Sequence, residues 1–93
     1  MVWNLASDRP IYAQIVEKLQ MQIVSGIYRP GDKLPSVREL AAAASVNPNT
    51  MQKAFSELER SGLITTHRTS GRFVTEDVKM IKNTRKALAQ EQM

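Results

Sequence analysis

The sequence predicts a mainly α-helical domain with one small β-hairpin. Four stretches place apolar residues at steps of three and four, a spacing that lines them along one side of a helix. Late in the chain, two short β-prone segments flank a polar turn, which is the pattern of a hairpin. The length of 93 residues allows one domain at most, because typical domains have about 100–200 residues.

Composition narrows the classes of function. Lys and Arg number 13 against 9 Asp and Glu, and the net charge of +4 suits a polyanionic partner. The absence of Cys excludes disulfides, thiolate nucleophiles and Cys-based zinc sites, and it is typical of cytosolic proteins. No apolar run reaches the length of a membrane span, and the N-terminus lacks the pattern of a signal peptide. We therefore expect a cytoplasmic protein that makes no membrane contact.

The first predicted helix begins at Pro10 and ends at Ser25 and Gly26. Pro10 suits the first turn, where its missing N–H is not needed for a hydrogen bond. The apolar side of the helix consists of Ile11, Tyr12, Ile15, Val16, Leu19 and Ile23. Residues 1–9 are interpreted as an N-terminal extension, and residues 28–33 as a loop rich in turn formers.

A second, short helix is predicted to begin at a capping box formed by Ser36 and Glu39. In a capping box each of the two side chains accepts a hydrogen bond from the other residue's backbone N–H. The buried side of this helix consists of Val37, Leu40, Ala41 and Ala44. A connection of only three or four residues then leads to the third helix.

The third predicted helix, 48–61, starts with Asn47 as its N-cap and Pro48 at its first position, and it stops at Gly62. Its apolar side, which we expect to lie in the core, consists of Met51, Ala54, Phe55 and Leu58. The opposite side has only polar residues, several of them amides or cations: Asn49, Lys53, Ser56 and Arg60, with Gln52 at the edge.

The hairpin predicted from the β-prone segments 63–66 and 72–75 is basic. It contains Arg68 and Arg72 and no acidic residue, so half of the net charge of +4 lies on it.

The remainder of the chain predicts a charged helix that Thr75 caps, with Glu76 and Asp77 in its first turn. Its apolar stripe, which Arg85 interrupts, consists of Val78, Ile81 and Leu88. We therefore assign residues 10–75 to one domain and residues 76–93 to a C-terminal helix that starts a dimerisation region.

The order of these elements is that of a winged helix-turn-helix, in which two helices joined by a short turn precede a basic hairpin. The second helix of the pair fits the major groove of DNA, where Asn and Gln can pair with adenine and Lys can reach guanine or phosphate. Such helices usually present their first turn to the bases. The candidate contacts in that turn are Asn47, Asn49, Thr50, Gln52 and Lys53.

Further candidates lie outside the recognition helix. Arg38, at the edge of the second helix, is a candidate for a phosphate or base contact. The basic residues of the wing, 67–72, are candidates for the DNA backbone or the minor groove: His67, Arg68 and Arg72. Each candidate also has an ordinary structural interpretation. Asn47 is explained by capping alone, the polar helix side by solvation, Arg38 by pairing with nearby acids, and the basic hairpin by solubility.

Other classes of function fit less well. An enzyme is not expected, since the pattern brings together no catalytic His or Cys, no pair of carboxylates and no Gly-rich phosphate loop. No cofactor and no metal are implied. A regulator that pairs with proteins through its two terminal helices, without DNA contact, stays open as an alternative. Membrane-surface binding by the first helix is disfavoured because Glu17 and Lys18 are its only charges.

Three segments resemble the DNA-binding domain of the GntR family of bacterial transcription regulators, over about residues 10–74. They are Pro10-Ile11-Tyr12-Ala13-Gln14-Ile15, Gly31-Asp32-Lys33-Leu34-Pro35-Ser36-Val37-Arg38-Glu39-Leu40-Ala41 and Val46-Asn47-Pro48-Asn49-Thr50-Met51-Gln52-Lys53-Ala54-Phe55. The Asn-Pro-Asn-Thr run is most similar to the YtrA-like branch. The resemblance implies a winged-helix domain that binds palindromic double-stranded operator DNA as a homodimer, usually to repress transcription.

The resemblance also assigns roles by position. Arg38 matches the DNA-contacting Arg of the family's Pro-Ser-x-Arg motif. The family's recognition-helix contacts match Asn47, Pro48, Asn49, Thr50 and Gln52. The turn of the wing matches Arg68, Thr69, Ser70 and Gly71.

The chain departs from the family pattern in three places. Ser45 stands where Gly is usual, at a position that we expect to require a positive φ. Thr69 stands where the wing often has Gly. Family members continue into an effector or dimerisation domain, whereas residues 75–93 suffice for about one helix. We therefore do not expect this chain to bind a small-molecule effector.

Overall fold

The computed structural model describes residues 5, 6 and 8–91, and side chains as far as residue 89. The rest of the predicted extension at 1–9 and of the helix at 76–93 lies outside the described residues. The elements are α1 (Ile11–Val24), α2 (Val37–Ala44), α3 (Pro48–Ser61), β1 (Ile64–His67), β2 (Gly71–Val74) and α4 (Val78–Glu91). This order confirms the predicted fold class. In the part of the chain that the structure describes, no helix is long and apolar enough to cross a membrane.

The start of α2 is the predicted capping box. The Glu39 backbone N–H donates to Ser36 Oγ over 3.1 Å, and the Ser36 backbone N–H donates to Glu39 Oε1 over 3.2 Å. Both bonds satisfy backbone donors that have no partner within the helix. The beginning of α2 is therefore fixed by local sequence.

The turn between α2 and α3 contains a residue in the left-handed region. Ser45 has φ 57° and ψ 45°, and within the described residues no other non-Gly residue has a positive φ. This confirms the expectation that the position requires a positive φ. A side chain in this region costs roughly 1–2 kcal/mol because Cβ approaches the following carbonyl oxygen. The chain then enters α3 through Asn47, whose Oδ1 accepts a hydrogen bond from the Asn49 N–H over 2.7 Å.

The predicted starts of α1 and α4 are each displaced. Pro10 is the N-cap of α1, one residue before the first turn. The prediction that Thr75 caps α4 was wrong, because Asp77 holds that position and its Oδ1 accepts the Met80 N–H over 3.2 Å. The Thr75 backbone N–H is bound to the Leu63 carbonyl over 2.8 Å, so Thr75 still belongs to the hairpin.

The hairpin is connected to the rest of the domain by a short third strand-like segment. β1 and β2 are antiparallel, with Thr66 opposite Arg72, and each lies within one residue of its predicted range. On the other edge of β2, Lys33 pairs with Phe73. The Leu34 N–H donates to the Arg72 carbonyl over 2.8 Å. The segment predicted as a loop therefore fixes the position of the wing.

The core lies between α1, α2 and α3. Met51, Ala54 and Phe55 of α3 are completely buried, as the sequence predicted, and α1 contributes Ile15 and Leu19. The alanines of α2 allow it to pack closely on α3. α4 lies against α1, and its Met80 touches the position where a side chain would stand at Gly62. This packing leaves the polar side of α3 uncovered.

Candidate nucleic-acid interface

The first turns of α3 form an exposed polar surface. α2 and α3 are joined by three residues, 45–47, and α3 begins at Pro48. Most of the predicted contacts in this region are exposed: Asn47, Pro48, Asn49, Gln52 and Lys53. Thr50 is half-buried. The structure thus brings all six predicted residues of this helix together at one end.

Asn47 serves the helix as its cap. Its Oδ1 is occupied by the Asn49 backbone N–H, so that donor is no longer open to a phosphate group. The capping interpretation of Asn47 is therefore confirmed. A direct base contact by this residue is not tested by the capping bond.

Arg72 connects the wing to α3. Its Nε donates to Glu59 Oε1 over 3.1 Å, and its Nη2 donates to Gln52 Oε1 over 3.3 Å. The guanidinium carbon lies 5.2 Å from the centre of the Phe55 ring. The sequence makes Arg72 a candidate for a DNA contact of the wing or for a solubilising turn, whereas in the structure its guanidinium lies on α3. One of the two hairpin charges is therefore compensated by an acid.

Lys53 lies over an aromatic ring of α1. Its Nζ is 3.9 Å from the centre of the Tyr12 ring, a cation–π distance. The sequence predicted Lys53 as a guanine or phosphate contact and did not place it near Tyr12. Such a contact at an exposed site contributes about 0.5–1 kcal/mol, which is weak enough for a phosphate to compete with it.

The tip of the wing is polar and open. His67, Arg68 and Ser70 are exposed, and the Ser70 N–H donates to the His67 carbonyl over 3.2 Å to close the turn. The His67 ring packs edge-on against Phe73, with 5.0 Å between the ring centres. Gly71 has φ 106°, a conformation that side chains rarely adopt. Gly71 is exposed as well, so the whole tip of the wing is open.

Arg38 is exposed in the first turn of α2. The ion pairs among the described residues are Arg9–Glu17, Arg60–Glu57 and Arg72–Glu59. Arg38 has no acidic partner within that part of the chain. The alternative interpretation, in which Arg38 forms an ion pair with a nearby acid, is therefore not supported by the structure.

The described residues contain no group of three or more His, Asp or Glu side chains placed to hold a metal ion. What the surface offers is amide groups, hydroxyls and cations. These are the groups that bind phosphate oxygens and base edges in nucleic-acid complexes.

Comparison with known proteins decides the family. The model of the bacterial regulatory proteins of the gntR family matches residues 11–74. The chain belongs to the GntR family. The resemblance carried by the three motifs is thereby confirmed, and the family is one of bacterial regulatory proteins.

A known relative supports the same conclusion. This GntR-family chain is 51% identical over 73 residues to the HTH-type transcriptional repressor YtrA of Bacillus subtilis, and the match covers 78% of this chain and 56% of that repressor. The chain therefore spans little more than half the length of that relative.

Solved structures show the same winged-helix fold. A GntR family transcriptional regulator from Listeria monocytogenes superposes with a TM-score of 0.92 at 43% identity, over 95% of this chain and 77% of that one. The AraR DNA-binding domain in complex with operator ORX1 superposes with a TM-score of 0.70 at 30% identity, over 81% of this chain and 92% of that one.

Proposed function

We propose that this GntR-family chain is a transcription repressor of the cytoplasm that binds a two-fold symmetric operator as a homodimer. The main support is the contact of Arg72 with Gln52, which places the wing beside the polar first turns of α3. The start of α3, which carries amides, and the exposed cationic hairpin beside it match the two parts of a winged-helix domain that contact DNA. The similarity of this chain to the YtrA repressor supports a role in repression.

Three groups of residues would have different roles in binding DNA. Base edges in the major groove would be met by Asn49, Thr50 and Gln52, with Asn47 and Pro48 shaping the start of the helix. The phosphate backbone would be met by Arg38 and Lys53. The wing would meet the backbone or the minor groove through His67, Arg68, Ser70 and Gly71.

The homodimer would be built at the C-terminal helix, which we place in a dimerisation region separate from the domain at 10–75. Apolar side chains of α1 and α4 stay exposed: Met21 of α1 is 42% and Val78 of α4 is 52% exposed. A cavity of about 280 Å³ lies between α1 and α4, lined partly by Leu88 and Ala89. Apolar surface of this kind favours pairing, and a two-fold protein matches a palindromic site.

The experiment is a titration of double-stranded DNA at several salt concentrations, with operator sequences first selected from random DNA. The logarithm of the binding constant should fall against the logarithm of salt concentration with a slope of ~0.9 per phosphate neutralised. Arg38→Ala and Arg68→Ala should each make this slope shallower by ~0.9, which is the contribution of one phosphate. Selected sequences should be two-fold symmetric.

The matched control is Arg60→Ala, which removes a cation from the far end of α3, where Arg60 is paired with Glu57 over 2.9 Å. It should leave the slope nearly unchanged. A flat salt dependence in the unaltered protein would contradict DNA binding and would favour the alternative of a protein-pairing module.

A further inference from the structure

We propose that Arg72 is a positioning residue that orients the Gln52 amide, so that Gln52 presents a hydrogen-bond donor to DNA and selects guanine over adenine. This inference rests on the proposed DNA-binding function and on Gln52 as one of its base contacts. It adds a determinant of specificity that lies on the wing and need not touch a base itself.

The orientation of the amide follows from the chemistry of the two groups. The Arg72 guanidinium carries only N–H donors and no acceptor. Its Nη2 lies 3.3 Å from Gln52 Oε1, so the oxygen is the atom that must face Arg72. The oxygen and the nitrogen branch from the same carbon. An oxygen directed at the wing therefore leaves the NH₂ group directed away from it.

Arg72 is itself held in place. Its Nε is bound to Glu59 over 3.1 Å, and the side chains of Arg72 and Glu59 are only 24% and 35% exposed. Its guanidinium rests on the Phe55 ring at 5.2 Å, and its backbone carbonyl accepts the Leu34 N–H. Gln52 and Glu59 are seven residues apart, nearly two helical turns, and so lie on one stripe. The guanidinium spans this stripe and is kept from turning to a phosphate.

The fixed amide distinguishes purines by their edges in the major groove. Adenine presents an acceptor at N7 and a donor at N6, so a bidentate pair with Gln needs both the amide oxygen and the amide nitrogen. Guanine presents two acceptors, N7 and O6. Because Arg72 engages the oxygen, Gln52 offers its NH₂ group to two acceptors more readily than it offers both groups to a mixed edge.

The test compares base preference in the complete chain and its variants. Operators selected from random DNA are titrated alongside versions altered at single base pairs. Gln52→Ala first locates the base pair that Gln52 faces, since discrimination is lost there alone. At that pair the unaltered protein should bind guanine about tenfold more tightly than adenine, a ratio within the range of one good base contact.

Arg72→Met removes the donors while keeping an unbranched stem against Phe55. It should reduce the guanine-to-adenine ratio about tenfold, to near one, because the amide can then rotate and accept from adenine. Glu59→Gln keeps Arg72 and removes its charged anchor, so it should shift the ratio in the same direction by less. Arg60→Met is the matched control on the same helix and should leave the ratio unchanged.

Three results would overturn the inference. An adenine preference in the unaltered protein would mean that the amide is oriented the other way. An unchanged ratio in Arg72→Met, with a uniform loss of affinity and a shallower salt slope, would make Arg72 a phosphate contact. No change at any base pair in Gln52→Ala would remove Gln52 from base recognition. All three leave DNA binding intact, whereas a protein without salt-dependent binding would contradict the proposed function itself.

A folding defect is separated from an orienting role by two measurements. Thermal unfolding of Arg72→Met reports whether the hairpin is still held against α3. Glu59→Gln provides the second reading if Arg72→Met is too unstable to titrate, because it retains the guanidinium and the apolar packing. A ratio that stays at the unaltered value in a folded Glu59→Gln protein would also count against the proposal.

Discussion

The ammonium of Lys53 lies 3.9 Å from the centre of the Tyr12 ring and joins α3 to α1. The two residues belong to different motifs of the sequence, and Lys53 is exposed while Tyr12 is half-buried. The contact holds the Lys53 charge beside the first turns of α3. The packing of α1 against α3 therefore sets where the Lys53 ammonium lies on the proposed DNA surface.

Tyr12→Leu should reduce the free energy of unfolding through loss of the cation–π contact. A double-mutant cycle with Lys53→Met, measured by urea unfolding, should give a coupling energy of about 0.5–1 kcal/mol. The cycle is needed because Leu also changes packing against the core. A coupling energy of zero would show that the two side chains do not interact in solution.

Ser45→Gly should stabilise the protein. Ser45 has φ 57°, and glycine adopts this region without the roughly 1–2 kcal/mol that a Cβ costs, although it loses about 0.5–1 kcal/mol in chain entropy. We expect a gain of about 0.5–1 kcal/mol in urea unfolding. The matched control is Ser25→Gly, because Ser25 ends α1 with φ −85° and should lose stability when replaced by Gly. Equal effects at the two sites would contradict the conformational explanation.

Asn47→Ser should separate capping from base contact. Ser caps a helix about as well as Asn, so stability should be retained, whereas Asn47→Ala should lose about 1 kcal/mol in thermal or urea unfolding. If Asn47 only caps α3, the DNA affinity of Asn47→Ser should match that of the unaltered protein. A selective loss of affinity with full stability would instead make Asn47 a base reader.

Tyr28 should make stability depend on alkaline pH. Burial raises the pKa of the Tyr28 phenol above its ordinary value of 10.0. Above that pH the unfolded chain releases the proton more readily than the folded one, so stability is complete below pH 10 and falls as the pH rises through the folded pKa. Urea unfolding between pH 8 and about pH 11 should show a steeper loss than in Tyr28→Phe. Parallel curves for the two proteins would contradict this prediction.

Structural features are predictable from the sequence where the interacting residues are neighbours in the chain. Ser36 and Glu39 form their capping box, and Asn47 caps α3, because the bonds join residues two or three positions apart. The stripe that contains Met51 and Phe55 is buried because helical periodicity alone brings those side chains to one face. The need for a positive φ at Ser45 was likewise visible in the family pattern.

The N-cap of α4 shows that local sequence signals alone do not always locate the start of a helix. Thr75 and Asp77 are both good capping residues, and the sequence contains no local reason to prefer the second. The choice is made by the hairpin, since the Thr75 N–H is bound to the Leu63 carbonyl over 2.8 Å. The helix can begin only after the chain has left that sheet.

The sequence alone predicts the four helices, the basic hairpin, the family resemblance and the polar residues at the start of α3. Those features depend on periodicity, capping and motif spacing, which are local. The contacts of Arg72 with α3 and of Lys53 with Tyr12 depend on how the hairpin and α1 pack against α3. Arg72 is separated from Gln52 by 20 positions, and its partner among the acids and amides is set by how the hairpin packs on the helix. A sequence shows the charge of a side chain, whereas packing decides which group that charge meets.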